Sequence, residues 1–304
     1  MNKQKIIPHL WFNNEVKEAV TFYTNIFPNS SIDQEAIIYG SPGGDADLVS
    51  FTIFDYTFMA INGGHNFQKN PSISFTINFY YNGDNSEKKM LIKIWNELAS
   101  AGKVLMPLQE YSFSKLYGWV EDKFSVSWQL SLIDSKKDIN SKRIAPNLMF
   151  VDDVCGKAEE ATDFYISIFN NSKRKSIHRY PANMEPDKGG TVMYTDLQLE
   201  GLLFSATDSA RNHQFNFNEG ISLLINCDDQ DEIDYYWKKL SHDRENEACG
   251  WLKDKYGVSW QVSPNAMVEM IKNGTKEQIA RVTKAFLPMK KLSLQKLIDA
   301  YNNK

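Results

Sequence analysis

Apolar positions along the chain follow two different periods, and the alternation between them sets out its elements. Val16, Ala19, Val20 and Tyr23 recur three and four residues apart behind Asn14. That spacing predicts an amphipathic helix with Asn14 as its N-cap and with Glu15 and Glu18 in the first turn. Leu91, Ile94, Trp95 and Leu98 predict a second helix, and Ile233, Tyr236, Trp237 and Leu240 predict a third of the same kind. Around them lie short β-branched and aromatic runs at 49–54, 57–61, 73–80 and 126–133, which predict strands. Each half of the chain therefore reads as a strand, a helix and three strands, and then the same again. Helices this widely spaced among strands suit an α+β layer architecture, with helices on one face of curved sheets.

The pattern is written twice. GWVEDKFSVSWQL at 118–130 returns as GWLKDKYGVSWQV at 250–262, with eight of thirteen residues unchanged. Ile6-Ile7-Pro8-His9-Leu10-Trp11-Phe12 corresponds to Ile144-Ala145-Pro146-Asn147-Leu148-Met149-Phe150, and ISFTIN at 73–78 corresponds to ISLLIN at 221–226. Phe22-Tyr23 and Ile26-Phe27 return as Phe164-Tyr165 and Ile168-Phe169. The offset drifts between 132 and 148 residues while the order of blocks is kept, as loop insertions produce. These matches divide the chain into a first domain at 1–134, a charged linker at 135–143, a second domain at 144–264 and a C-terminal helical extension at 265–304. In the extension, Thr275 and Gln278 form a capping-box pair after Gly274, Pro288 stops that helix, and 294–301 predict another.

Composition narrows the classes of function. The chain has 304 residues, enough for two ordinary domains, with 42% hydrophobic and 24% charged residues. A net charge of -4 with interspersed signs gives no basic field for nucleic acid. Cys155, Cys227 and Cys249 show no CxxC spacing and read as free thiols of a reducing compartment. Pro8 and His9 interrupt the first apolar run, so neither a secretion signal nor a membrane span is expected, and the cytoplasm is the expected location. No P-loop, HExxH motif, Ser-His-Asp arrangement or glycine-rich nucleotide loop is evident, which argues against a Rossmann-type methyl-donor site.

The combination of PHLWF, a helix ending in FYTNIF, NGG at 62–64 and DKxxVSWQ resembles the PhnB-like branch of the vicinal oxygen chelate superfamily. That superfamily also holds glyoxalase I, extradiol dioxygenases and bleomycin-resistance proteins. The resemblance runs through both halves and implies an α+β fold of paired βαβββ modules. Four modules would form two similar domains with two cupped cavities, a fused pair standing in for a dimer. It also implies three metal-ligand positions, and counting from the Phe-Tyr pair puts the first on Pro8 and Pro146. Ser72 and Gly220 fall at the second, and Gln129 and Gln261 at the third. Proline has no side-chain donor, and one neutral amide oxygen does not make a transition-metal site, so both cavities are expected to lack a metal and any other cofactor. Strand alternation puts His9 on the face away from Pro8. His65 follows the NGG turn, and His178, His213 and His242 lack counterparts in the first half.

If Val126, Trp128 and Leu130 enter the core, Ser127 and Gln129 face the cavity, and Ser259 and Gln261 do so in the second half. These four, with Asn62, are the candidate ligand-binding residues, and no catalytic residue is assigned. The competing reading makes the repeated block a structural closure, with a buried tryptophan and a turn-forming Asp-Lys. The expected function is metal-free binding of a small, partly aromatic molecule, with a glyoxalase- or dioxygenase-type metal enzyme as the alternative and an interaction scaffold as the third reading.

Overall fold

The computed structural model describes residues 4–41, 43–81, 83–134 and 143–304; most of the expected linker lies outside the described residues. The elements are β1 (Ile6–Phe12), α1 (Val16–Ile26), β2 (Ser30–Ser41), β3 (Gly44–Ile53), β4 (Tyr56–Asn62), β5 (Ile73–Tyr81), α2 (Ser86–Ala99), β6 (Lys103–Tyr111), β7 (Ser114–Glu121) and β8 (Ser127–Asp134). The second half repeats them as β9 (Ile144–Phe150), α3 (Ala158–Ile168), β10 (Lys173–Arg179), β11 (Val192–Leu199), β12 (Leu202–Asp208), β13 (Ile221–Cys227), α4 (Gln230–Leu240), β14 (Trp251–Lys253) and β15 (Ser259–Pro264). Three further helices follow, α5 (Asn265–Asn273), α6 (Lys276–Phe286) and α7 (Leu294–Asn302). The α+β class is as the hydrophobic pattern predicts, and so is the order of strand, helix and three strands in three of the four modules; the last has only β14 and β15 after α4.

Two sheets are formed, and each takes strands from both halves. One runs β14-β15-β13-β1-β4-β3-β2 and the other β10-β11-β12-β9-β5-β8-β7-β6. The seams are antiparallel: Ile6 to Leu10 of β1 lie against Ile225 to Ile221 of β13, and Ile73 to Ile77 of β5 against Leu148 to Ile144 of β9. The ranges 1–134 and 144–264 thus each lend one module to each sheet. The halves are units of sequence, and the sheets are units of structure.

Period-two alternation explains which face of each sheet packs where. Ile6, Leu10 and Phe12 of one sheet and Phe75, Trp128 and Leu130 of the other join α1 to α4 in a single buried cluster. Phe58 meets Phe75 at a ring-centroid distance of 5.1 Å, so the two sheets stand back to back. Their opposite faces, termed cups, carry separate clusters.

The capping box at Thr275 and Gln278 is present, with both reciprocal bonds formed. Asn14 is not the N-cap of α1: the helix starts at Val16, and Asn14 takes a positive φ of 83°. The Val16 amide instead donates to Asn62 Oδ1 at 3.0 Å, so a cap absent from the local sequence comes from β4. In the second half Asp208 of β12 does the same for the Ala158 amide at 3.0 Å.

Candidate functional site

The repeated tryptophan block proves to be a clamp. Asp122 is buried, and its Oδ1 accepts from the Phe124 and Val126 amides while Oδ2 accepts from Tyr23 Oη at 2.8 Å and Trp128 Nε1 at 2.8 Å. Asp254 repeats the set with the Tyr256 and Val258 amides, Tyr165 Oη at 2.7 Å and Trp260 Nε1 at 2.8 Å. One carboxylate thus fixes a tight turn and ties a helix to the last strand of the neighbouring module. Burial pushes both carboxyls above the ordinary carboxylate range, against the pull of their four donors. Lys123 and Lys255 stay outside, stacked over Phe124 and Tyr256 and paired with Glu18 and Glu160.

The NGG motif is structural too. Besides holding α1, Asn62 donates from its Nδ2 to Asp47. A Cβ on Gly63 would lie 2.1 Å from the Trp11 indole, whose Nε1 donates to the Gly64 carbonyl at 2.8 Å. The side chain of Asn62 therefore serves the fold, and His65 is exposed beyond it.

The first-strand prediction is off by one residue. Pro8 lies opposite Leu223, on the face that enters the common core, whereas His9 lies opposite Ser222 and beside Met59, on the cup face. Pro8 sits just before the β1–β4 register, which begins at His9, and Pro146 sits likewise before the β9–β12 register beginning at Asn147. Residues without an N–H are tolerated at such places, which accounts for the repeated proline. Counting from the Phe-Tyr pair mis-set the parity because the turn before α1 does not follow strand spacing. Ser72 and Gly220 precede their strands, and a Cβ on Gly220 would meet the Gln68 carbonyl at 2.6 Å. Ser74 and Ser222 take the facing positions inside the cups.

Corrected for parity, the cup of the β1/β13 sheet carries His9, Met59, Ser222 and Gln261, with Gln261 Nε2 donating to Ser222 Oγ at 2.9 Å. His9 is buried at 4% exposure, its Nδ1 has no partner, and Trp251 stands edge-on at 5.9 Å. Burial lowers its pKa to about 4, so the ring is neutral. Ser259 Oγ is also buried without a partner. This cup is covered by its own chain: Ile271, Val282, Phe286, Leu292 and Leu297 of the C-terminal extension close over Ile7, Leu48, Met59 and Leu224.

The C-terminal extension contributes nothing to the cluster of the β5/β9 cup. The floor of that cup is a network of neutral groups. Tyr117 Oη donates to Gln129 Oε1 at 2.8 Å, Gln129 Nε2 donates to Ser74 Oγ at 2.8 Å, Ser74 faces Asn147, and Ser205 Oγ donates to Asn147 Oδ1 at 3.0 Å. Trp119 Nε1 donates to Ser127 Oγ at 2.7 Å. Asn147 is 2% exposed and its Nδ2 has no partner. Tyr117, Trp119, Met149 and Val151 form the apolar wall, with Met106 and Phe215 packed against it. At the rim Tyr111, Phe113 and Tyr117 make a ring trio with centroids 5.1 to 5.7 Å apart, and Phe113 is 65% exposed.

Ser127, Gln129, Ser259 and Gln261 thus all face cups, as alternation predicts. Sequence reasoning missed Asn147, Ser74 and Tyr117, although the His9/Asn147 correspondence was visible in the repeat. Neither donor set suits a transition metal. One imidazole and neutral amide or hydroxyl oxygens supply no charge, and no group of three His, Cys, Asp or Glu side chains gathers among the described residues.

The family described as 3-demethylubiquinone-9 3-methyltransferase matches residues 4–131 and again 142–263. The chain belongs to that family. It is a tandem PhnB-like member of the vicinal oxygen chelate superfamily. A PhnB protein from Bacillus cereus is 34% identical, with 43% of this chain and 100% of that one covered and a TM-score of 0.38. Glyoxalase I from Zea mays is 10% identical, with 90% of this chain and 97% of that one covered and a TM-score of 0.55, so this PhnB-like chain shares its fold. No curated protein matches. No helix among the described residues is long and apolar enough to cross a membrane.

Proposed function

We propose that this PhnB-like chain binds a small organic molecule without a metal, in the cup of the β5/β9 sheet. The observation that carries the reading is the unpartnered Asn147 Nδ2, a buried donor above the Ser74–Gln129–Tyr117 network and beside an aromatic wall. A buried donor without a partner costs about 1–3 kcal/mol, which a guest oxygen acceptor relieves. The wall of Tyr117 and Trp119 favours a flat apolar body. The ligand class is therefore an aromatic or conjugated compound bearing a carbonyl or carboxylate oxygen.

The family description speaks of methyl transfer, but the chain offers no glycine-rich strand-to-helix turn for a nucleotide-type methyl donor. Binding fits the neutral donor sets better than catalysis does. Titration of Trp119 fluorescence with a panel of aromatic aldehydes and carboxylates tests the reading. At least one compound is expected to bind, and Asn147→Leu is expected to weaken it about tenfold, the equivalent of one lost hydrogen bond. Binding that ignores Asn147→Leu and Gln129→Leu sinks the assignment. Elemental analysis of protein purified without chelator, with thermal scans in Ni, Mn, Zn, Fe(II) and Co, tests the metal-free part. A near-stoichiometric ion or a large stabilisation by one metal overturns it.

A further inference from the structure

We infer that the cleft between the C-terminal end of α1 and α2 is a separate site, which takes a small phenol carrying a carboxylate. Ile26 ends α1 as Ile168 ends α3, and Leu91, Ile94 and Leu98 of α2 hold the places of Ile233, Tyr236 and Leu240 of α4. In the same frame Lys93 stands where α4 carries Tyr235. The Tyr235 ring lies 5.1 Å from that of Tyr236, and its Oη donates to the Ile168 carbonyl at 2.9 Å. That bond answers one of the carbonyls a helix leaves without an internal partner at its end. With lysine in the tyrosine's place, the first half has a cleft of about 580 Å³ between the helices. Small-molecule sites occupy roughly 300–1,000 Å³.

The second half therefore serves as a template for what the first half's cleft accepts. Ile26, Phe27, Met90 and Ile94 give the cleft an apolar floor, with Phe27 and Ile94 buried. A phenol laid on them has the Ile26 carbonyl as its acceptor, just as Tyr235 has that of Ile168. Ser30 Oγ serves the neighbouring Thr24 and Phe27 carbonyls, which directs the guest's hydroxyl to the one between them. On the α2 side Lys89 and Lys93 line the cleft one turn apart. Asp84 acts electrostatically on Lys89, whereas Lys93 enters no ion pair among the described residues. A carboxylate on the guest answers that cation. The negative end of the α1 dipole sets the orientation, with the hydroxyl toward the helix end and the carboxylate toward the lysines. A methyl ether in place of the hydroxyl would keep the ring and the charge but lose the donor. An unsubstituted phenol would keep the donor but leave Lys93 unanswered.

This cleft shares no residue with the β5/β9 cup and stands independently of the reading given there. Calorimetric titration of the full chain with 4-hydroxybenzoate, 4-methoxybenzoate and phenol tests it, in the wild-type chain and in Asn147→Leu. 4-Hydroxybenzoate is expected to bind saturably in both, and the other two about tenfold more weakly, the equivalent of one lost polar contact. Lys93→Tyr, which rebuilds the second half's plug, should abolish this binding and raise the melting temperature. Lys93→Gln, which leaves the cleft open, should weaken it about tenfold at low salt. A benzoate held in the β5/β9 cup shows the opposite pattern, responding to Asn147→Leu and ignoring Lys93→Tyr. No saturable binding of 4-hydroxybenzoate in Asn147→Leu, equal binding of either analogue there, or binding that survives Lys93→Tyr or Lys93→Gln unchanged overturns the inference.

Discussion

Asp254 accepts four hydrogen bonds in a site closed to water, and removing it leaves Tyr165 Oη, Trp260 Nε1 and two amides unanswered. Asp254→Ala is expected to cost about 3 kcal/mol or more, read as a fall in the urea midpoint at unchanged slope. The turn it holds offers a contrast. Gly257 has φ +86° and Ser125, its counterpart, φ +61°. Ser125→Gly should stabilise the chain by up to about 1 kcal/mol, since only glycine visits that region without strain. His9 carries a pH signature. Its folded pKa of about 4 lies below the ordinary 6.5, so as pH falls the unfolded chain takes the proton first. Stability on the order of 3 kcal/mol should therefore be lost as pH drops from about 6.5 to 4, and His9→Asn should flatten that part of a pH-stability curve. At this scale the sequence showed which residues repeat but not always why. Gln129 and Ser127 face the cup by simple alternation, whereas the parity of Pro8 and His9 depended on an irregular turn.

Helices α1, α2 and α4 follow from apolar spacing, α6 from its capping-box pair and the proline behind it, and α7 from the stretch at 294–301. Helix α5 did not, because it starts directly from β15 at Pro264 with no side-chain cap to mark it. The destination of the extension was equally hidden. Its apolar faces are plain in sequence, but their partners, Ile7, Met59 and Leu224, lie on distant strands. Leu297 is fully buried there, and Leu297→Ala should cost about 2–5 kcal/mol. Ending the chain at Pro264 should bare the apolar cup, with a rise in binding of a hydrophobic dye as the measurement.

On the scale of the molecule, the repeat announced two equivalent halves but not that each sheet would be shared. Pairing across 1–134 and 144–264 is a long-range fact, invisible to local periodicity. Residues 4–134 expressed alone would leave β1 and β5 without their partners β13 and β9. That fragment is expected to run as a dimer or larger species in light scattering, because β1 and β5, still paired to β4 and β8, would each bare one hydrogen-bonding edge. A monomer with full stability would contradict the shared-sheet account.

Joining the two halves in one chain has a further consequence. In an assembly of identical half-length subunits every substitution appears in both cups, so neither can change without the other. Here the positions are free to drift apart, and they have: the imidazole of His9 stands where the other cup carries the amide of Asn147, Trp119 is bonded to Ser127 while Ser259 Oγ has no partner, and the C-terminal extension covers the cup of the β1/β13 sheet. Covalent fusion turned a symmetric vessel into two compartments with separate histories.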